Sequence, residues 1–132
     1  MMKEFTRRQP LGFSLLELLI VITVLGVILF FAFPNIIRVR SDSEKALAKA
    51  RAETLNLAAA AYFQAVGPTA ALSAWDGSDE QRYLLLTPYI AFPATSLSTF
   101  LPSSDYDINF NSSQPHRVKA QLLGPSSTAI PY

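Results

Sequence analysis

An apolar run from Phe13 to Ile37 constrains the fold more than any other feature of this 132-residue chain. Eighteen of its 25 residues are Leu, Ile, Val or Phe, and its polar side chains are only Ser14, Glu17, Thr23 and Asn35. As a helix the run would be about 37 Å long, against roughly 30 Å for bilayer hydrocarbon. Buried strands rarely exceed about eight residues, so the length of the run predicts a membrane-spanning helix.

Insertion into a membrane is favoured even though the run contains a carboxylate. The large apolar side chains together contribute on the order of 5–11 kcal/mol, whereas one charge at a helix centre costs about 2.5–3.5 kcal/mol. Lys3, Arg7 and Arg8 precede the run and favour a cytoplasmic N-terminus, although Arg38 and Arg40 beyond it weaken that argument. A plain single-pass anchor is one alternative. A secretory signal peptide is another, but the run is too long and lacks a small-x-small cleavage site.

Glu17 separates these alternatives, because an ionisable residue inside an apolar run predicts a functional role and needs a partner. No Lys or Arg lies within helical reach of Glu17 inside the run, and Arg8 lies on the other side of Pro10 and Gly12. A carboxylate in the headgroup zone is the plain alternative. If Glu17 stays charged in lipid, its partner comes from another chain or from newly created chemistry.

The segment Gly12–Ile22, GFSLLELLIVI, closely resembles the processing and methylation site of type IV prepilins and type II secretion pseudopilins. The resemblance implies that residues 1–12 are a cleaved basic leader, cut between Gly12 and Phe13. It also implies N-methylation of Phe13, and an assembly ion pair between Glu17 and the Phe13 amine of a neighbouring subunit. Gly26 and Pro34 fall where many family members have helix-loosening residues. Pro34 predicts a kink near residues 28–33, or local melting there in the assembled filament.

Residues 38–66 are predicted to continue the helix of residues 13–37 as an amphipathic helix. Together they give one predicted helix over Phe13–Ala65. The apolar face of this continuation is predicted from spacings of three and four at Leu47, Ala50, Thr54, Leu57, Ala61 and Ala65. The stretch Ser41–Glu44 resembles a capping box, so a break near Arg40 is an alternative. Gly67 and Pro68 are predicted to end the helix.

Residues 67–132, called the head below, are predicted to form a small globular part against Leu55, Tyr62 and Phe63. Short helices are predicted over residues 70–75 and 79–86. The strict alternation of Asp105–Asn111 predicts a strand, paired with Arg117–Leu122 in an antiparallel hairpin with its loop over residues 111–115. The predicted class is therefore α+β, with a long N-terminal helix packed on a small head.

Several kinds of chemistry are disfavoured by the composition. The chain has no cysteine, which excludes disulfides and thiolate sites, and its C-terminal half is slightly acidic, which gives no support for a nucleic-acid-binding face. No catalytic constellation is present, so we expect a non-enzyme without cofactors. By resemblance to major pseudopilins, calcium in the head is an alternative, but alternate Asp and Asn residues on a straight strand are about 7 Å apart and favour an exposed polar face. His116 is predicted to be a loop residue.

These features predict a structural filament subunit, most closely a type II secretion pseudopilin in the bacterial inner membrane with its head outside the cytoplasm. The implied partners are the prepilin peptidase/methyltransferase, copies of the chain, other pilin-like subunits and an inner-membrane assembly platform. A type IV pilus or DNA-uptake pilin is an alternative. A membrane-tethered binding module belongs to a different class, and it predicts an uncleaved chain and an unimportant Glu17.

Overall fold

A computed structural model describes residues 12–132, which form one long helix, three shorter helices and a small sheet. The helices are α1 (Leu15–Val66), α2 (Pro68–Ala74), α3 (Asp79–Leu86) and α4 (Leu97–Phe100), and the strands are β1 (Asp107–Asn109), β2 (Gln121–Leu123) and β3 (Ala129–Ile130). The predicted α+β class is confirmed. The boundary between two compact units lies within α1, between Val39 and Arg40.

Helix α1 runs without interruption past the break predicted near Arg40. Instead of capping a new helix, Glu44 accepts a hydrogen bond from Arg40 across one turn, with 3.0 Å between Nε and Oε1. The helix ends as predicted, because Gly67 takes a φ of +92° and Pro68 begins α2. Pro34 lies inside α1. The kink predicted around residues 28–33, or the local melting there in the assembled filament, stays a prediction.

The face of α1 that packs on the head differs from the face predicted from spacing. The side chains buried against the head are Ala48, Ala52, Leu55, Ala58, Ala59, Tyr62 and Phe63. The predicted face is largely exposed, with Leu47 at 44% and Leu57 at 66%. Two apolar faces therefore run along this part of α1, and the head covers the alanine-rich one.

Aromatic rings fill the space between α1 and the rest of the head. Trp75 is 1% exposed, and its ring lies 5.3 Å from that of Phe63 and 5.7 Å from that of Phe110. Its Nε1 donates to the carbonyl of Asn111 at 3.1 Å, which satisfies the indole inside the core. Leu55, Tyr62 and Phe63 thus pack on the head as expected.

The sheet is larger and its strands shorter than the predicted hairpin. Strand β1 pairs antiparallel with β2, which pairs antiparallel with β3, and Ile108 and Leu122 face each other on the buried side. The expected alternation holds, with Tyr106, Ile108 and Phe110 buried. The second strand starts at Gln121 rather than Arg117, because the backbone nitrogens of Arg117 and Val118 donate to the carbonyl of Gln114 in a turn. Strand β3 and helix α4 were not predicted.

Burial raises the pKa of Tyr83, Tyr106 and Tyr132 above the ordinary tyrosine value of 10.0. For Tyr83 the charge of Glu80 adds to this effect, while the hydrogen bond with Ala94 opposes it. The folded chain thus favours the neutral phenols. Their contribution to stability is complete below pH about 10 and is lost as pH rises through the folded pKa values.

We expect the urea midpoint of the full chain in detergent to fall between about pH 9 and 11, because unfolding releases these protons. Fluorescence of Trp75, the single tryptophan, reports the transition. Tyr83→Phe should lower the midpoint at neutral pH, because the hydroxyl bonds both the nitrogen and the carbonyl of Ala94 at 2.8 and 3.0 Å. The same variant should show a shallower alkaline slope. A urea midpoint that does not change between about pH 9 and 11 would contradict the raised pKa values of these tyrosines.

Candidate functional site

The bond between Gly12 and Phe13 precedes helix α1 and is open to solvent. Gly12, Phe13 and Ser14 are outside the helix, which begins at Leu15. Phe13 is 80% exposed, and a Cβ built on Gly12 would meet nothing within 4 Å. A protease could therefore reach this bond without unfolding α1. The remainder of the predicted leader, residues 1–11, lies outside the described part of the chain.

Ser14 and Glu17 form a reciprocal capping box at the start of α1. The backbone nitrogen of Glu17 donates to Ser14 Oγ at 3.1 Å, and the nitrogen of Ser14 donates to Glu17 Oε2 at 3.4 Å. Two of the free N–H groups at the helix start are satisfied in this way, and the carboxylate lies at the positive end of the helix dipole. This role of Ser14 was missed from sequence, although the Ser-x-x-Glu pattern is its ordinary signal.

Among residues 12–132, Glu17 has its capping hydrogen bonds but no counter-ion. Within residues 12–132, the ion pairs are Arg40–Glu44, Asp79–Arg82 and Glu53–Lys119, and none involves Glu17. Its neighbours along the chain, Leu16 and Leu18, are 66% and 57% exposed apolar residues. The backbone nitrogen of Phe13 comes one residue before Ser14, so an amine created there would arise beside the group that the carboxylate already contacts.

The helix around Glu17 exposes a surface that suits lipid or other helices. Every Leu, Ile, Val and Phe side chain from Phe13 to Val39 is 45–87% exposed. Helix α1 is the one helix of the described chain long and apolar enough to cross a membrane, and none of its apolar window is buried. The hydroxyl of Thr23 bonds the carbonyl of Leu19 within the helix. Between Phe13 and Ile37, Glu17 is therefore the charged exception on this surface.

Gly26 and Pro34 lie within this apolar part of α1. A Cβ built on Gly26 would meet nothing within 4 Å, so packing within the chain does not require glycine there. Pro34 has no N–H to donate and therefore removes one bond of the helix ladder. A bend of α1 at either position stays a prediction.

The head offers little metal or catalytic chemistry in the part of the chain that the structure describes. Residues 12–132 contain no group of three or more His, Asp or Glu residues that could hold a metal ion. Asp107 Oδ1 accepts from the nitrogen of Ile108 at 2.8 Å, and Asp105 and Asn109 are exposed. Calcium in the head stays an expectation drawn from resemblance. His116 lies in the β1–β2 loop, where its ring stacks on Phe63 at 5.1 Å.

Residues 7–33 match the family model described as the prokaryotic N-terminal methylation motif. The match includes the Gly12–Phe13 bond, Glu17 and Gly26, and it ends just before Pro34. It supports a prepilin of the type IV pilin-like group, and it implies processing by a prepilin peptidase and assembly with other pilin subunits. The motif thus indicates a structural substrate rather than an enzyme. No curated protein and no solved structure matches the chain.

Proposed function

We propose that this chain is the precursor of a filament subunit, most closely a type II secretion pseudopilin, anchored in the bacterial inner membrane. The observation that carries the proposal is Glu17, a carboxylate with no counter-ion among residues 12–132, one helical turn beyond an exposed Gly12–Phe13 bond. The methylation-motif match over the same residues supports it.

Processing would supply the missing counter-ion. Cleavage between Gly12 and Phe13 creates an α-amine, which is largely protonated near neutral pH and stays able to carry charge after N-methylation. In a low-dielectric environment an unpaired charge is costly, and a paired one is much less so. The Phe13 amine of one subunit and Glu17 of its neighbour would neutralise each other. The pair would favour one axial stagger of the helices and penalise others.

The capping box with Ser14 would accommodate the Glu17 carboxylate before assembly. In the isolated chain its carboxylate accepts from the nitrogen of Ser14 at a long 3.4 Å. A hydrogen bond of this length is weak, so an incoming ammonium group can replace it at little cost. The carboxylate also accepts only one hydrogen bond within residues 12–132, which leaves acceptor capacity for a neighbouring amine.

Helix packing would then replace lipid contacts around residues 13–39. Lipid tails are as apolar as leucine, so association in the membrane depends on close packing and polar pairing rather than on water exclusion. Gly26 and Pro34 would let this part of α1 bend or loosen in the filament. The basic residues Lys3, Arg7 and Arg8 favour a cytoplasmic leader and a head on the other side of the membrane.

The partners of such a subunit follow from its processing and assembly. A prepilin peptidase/methyltransferase would cut and methylate it, and an inner-membrane assembly platform would join it to copies of itself and other pilin-like subunits. The cysteine-free, short head favours a secretion pseudopilus over an adhesive pilus. A type IV pilus or DNA-uptake pilin is the alternative within the same class.

Intact mass of the chain made in cells with an active prepilin peptidase tests this proposal. We expect a chain that begins at methylated Phe13, and a Gly12→Val variant that keeps its leader. The substitution leaves the described fold intact, because a Cβ at Gly12 meets nothing within 4 Å. A wild-type chain that still begins at Met1 under these conditions would support a membrane-tethered binding module instead.

A further inference from the structure

Strand β1 is an edge of the sheet, because in the described part of the chain it pairs with β2 alone. Between β2 and β3, the nitrogen of Gly124 donates to the carbonyl of Thr128 at 2.8 Å. Bonded pairs of an antiparallel ladder recur at every second residue, so Leu122 directs its backbone groups toward β3. Ile108, which pairs with Leu122, therefore directs its own N–H and C=O away from β2.

The outward N–H groups of this edge are bonded to carboxylates. The nitrogen of Ile108 donates to Asp107 Oδ1 at 2.8 Å, and the nitrogen of Phe110 donates to Asp79 Oδ1 at 3.1 Å. Arg82 Nη1 also donates to the carbonyl of Phe110 at 3.4 Å. The Asp79–Arg82 pair thus contacts both backbone groups of Phe110, as a neighbouring strand would.

An open groove of about 430 Å³ lies beside the same edge. Tyr106 and Asp107 line it at the start of β1, and Asp79, Leu97 and Leu101 line it from α3 and the segment that contains α4. Asp107 is exposed, so the carboxylate that bonds the Ile108 nitrogen is at the surface of the head. Accessible backbone groups beside a groove are what an added strand requires.

We infer that Asp107 and Asp79 close the β1 edge to a strand of a second copy of the head. An uncovered edge is a template for pairing with another chain, and proteins often place short strands or charges there. Here the carboxylates occupy the donors themselves, so an incoming strand would have to break one hydrogen bond for each that it makes. The other edge, β3, has only two residues and offers little length for pairing.

A second copy is the strand that this edge fits, because two identical edges can pair antiparallel about a two-fold axis. Ile108 of each copy would then exchange N–H···O=C bonds with Ile108 of the other. If its N–H were released from Asp107, the two new bonds together would strengthen self-association roughly 5- to 150-fold. The inference concerns the folded head and does not depend on leader cleavage or on filament formation.

Asp107→Ala tests the inference, because it removes the acceptor at an exposed position. Asp107→Asn is the matched control, since it keeps an oxygen that can accept but loses the charge. In the full chain in detergent at low protein concentration, we expect the Ile108 amide of Asp107→Ala to exchange several-fold faster than that of the natural chain, measured by NMR. Raising the protein concentration should slow this exchange again, and sedimentation should show the roughly 5- to 150-fold stronger association.

The Asp107→Asn chain should behave like the natural chain in both measurements, and Trp75 fluorescence shows that each variant is folded. Unchanged exchange of the Ile108 amide in Asp107→Ala would overturn the inference, because the carboxylate would not be covering that N–H. Faster exchange without stronger association would overturn it as well, because the open edge would then not accept a second strand. Equal association of the Asn and Ala variants would assign the protection to charge repulsion and overturn the role of the occupied donor.

Discussion

Replacing Glu17 with leucine should leave the chain inserted in the membrane and cleaved after Gly12, yet abolish filaments. Insertion becomes easier, because a charge inside the membrane costs about 2.5–3.5 kcal/mol. Assembly becomes harder, because the Phe13 amine of the neighbouring subunit enters the filament without its counter-ion, at a cost of several kcal/mol. Since each 1.4 kcal/mol is a factor of ten, we expect more than about a hundredfold loss of filament.

The measurement compares sheared filament yield with membrane-fraction yield and intact mass for each variant. Thr23→Val is the matched control, since it also replaces a polar residue of the same helix by an apolar one. Its hydroxyl already bonds the carbonyl of Leu19, and Thr23 carries no charge for a neighbour to use. Normal filament yield from Glu17→Leu would remove the basis of the proposed ion pair.

A variant at Ser14 distinguishes the helix-capping role of Glu17 from its role in the proposed ion pair. The two residues cap α1 reciprocally, so Ser14→Ala also weakens the helix start, by about 0.5–2 kcal/mol. It leaves the carboxylate in place. If the assembly defect of Glu17→Leu came from lost capping, Ser14→Ala would reproduce it. The ion-pair explanation requires that Ser14→Ala filaments form at close to normal yield.

The parts of the fold that local chemistry specifies could be predicted from the sequence. The end of α1 follows from Gly67 and Pro68, and the start of α3 follows from Ser78, whose side chain accepts from Gln81 in a capping box. The predicted helix over residues 79–86 matches α3 in the structure. In each case the signal lies within a few residues and does not depend on which surfaces meet.

The burial of α1 could not be predicted in the same way, because the helix has two apolar faces. Leu47 and Leu57 are larger than Ala48 and Ala52, so spacing and hydrophobicity favoured the wrong face. The head nevertheless packs on the alanine-bearing face, and Trp75 contacts its aromatic end at Tyr62 and Phe63. Which face is covered depends on the partner surface, and that information lies far away in the chain.

The pairing of the strands could not be predicted from local sequence either. The alternation around Ile108 located β1, but a strand needs a partner, and β2 begins only at Gln121 after an eleven-residue connection from Phe110 to Ala120. Strand β3 has only two residues, too few for any periodic signal. Asn111 contributes to the difference, because its Oδ1 accepts from the nitrogens of Ser113 and Gln114 and turns the chain away from the sheet.

Asp79 joins three parts of the head that are distant in sequence. Its Oδ1 accepts from Arg82 Nη1 at 2.9 Å and from the nitrogen of Phe110 at 3.1 Å. Arg82 also donates through Nε to the carbonyl of Trp75 at 3.0 Å. The pair therefore ties α3 to the end of α2 and to the end of β1. Arg82 is 12% exposed and Asp79 31% exposed, so the network is partly shielded from water.

We expect Asp79→Ala to lower the free energy of unfolding by about 2–4 kcal/mol. The change leaves a shielded guanidinium without its carboxylate and the nitrogen of Phe110 without its acceptor. With a urea m-value of about 1–2 kcal/mol/M, the midpoint should fall by roughly 1–4 M, followed by Trp75 fluorescence of the full chain in detergent. Asp105→Ala, at an exposed position in the same part of the head, should change it by less than about 0.5 kcal/mol.

The double variant Asp79→Ala, Arg82→Met shows whether the loss comes from the unpaired charge. Methionine keeps most of the methylene packing of Arg82 but needs no counter-ion. If the stranded guanidinium dominates, adding Arg82→Met to Asp79→Ala should recover part of the lost stability, because the single variant then costs more than removal of the whole pair. Losses that simply add would mean that the two side chains act independently, and that the nitrogen of Phe110 is what Asp79 stabilises.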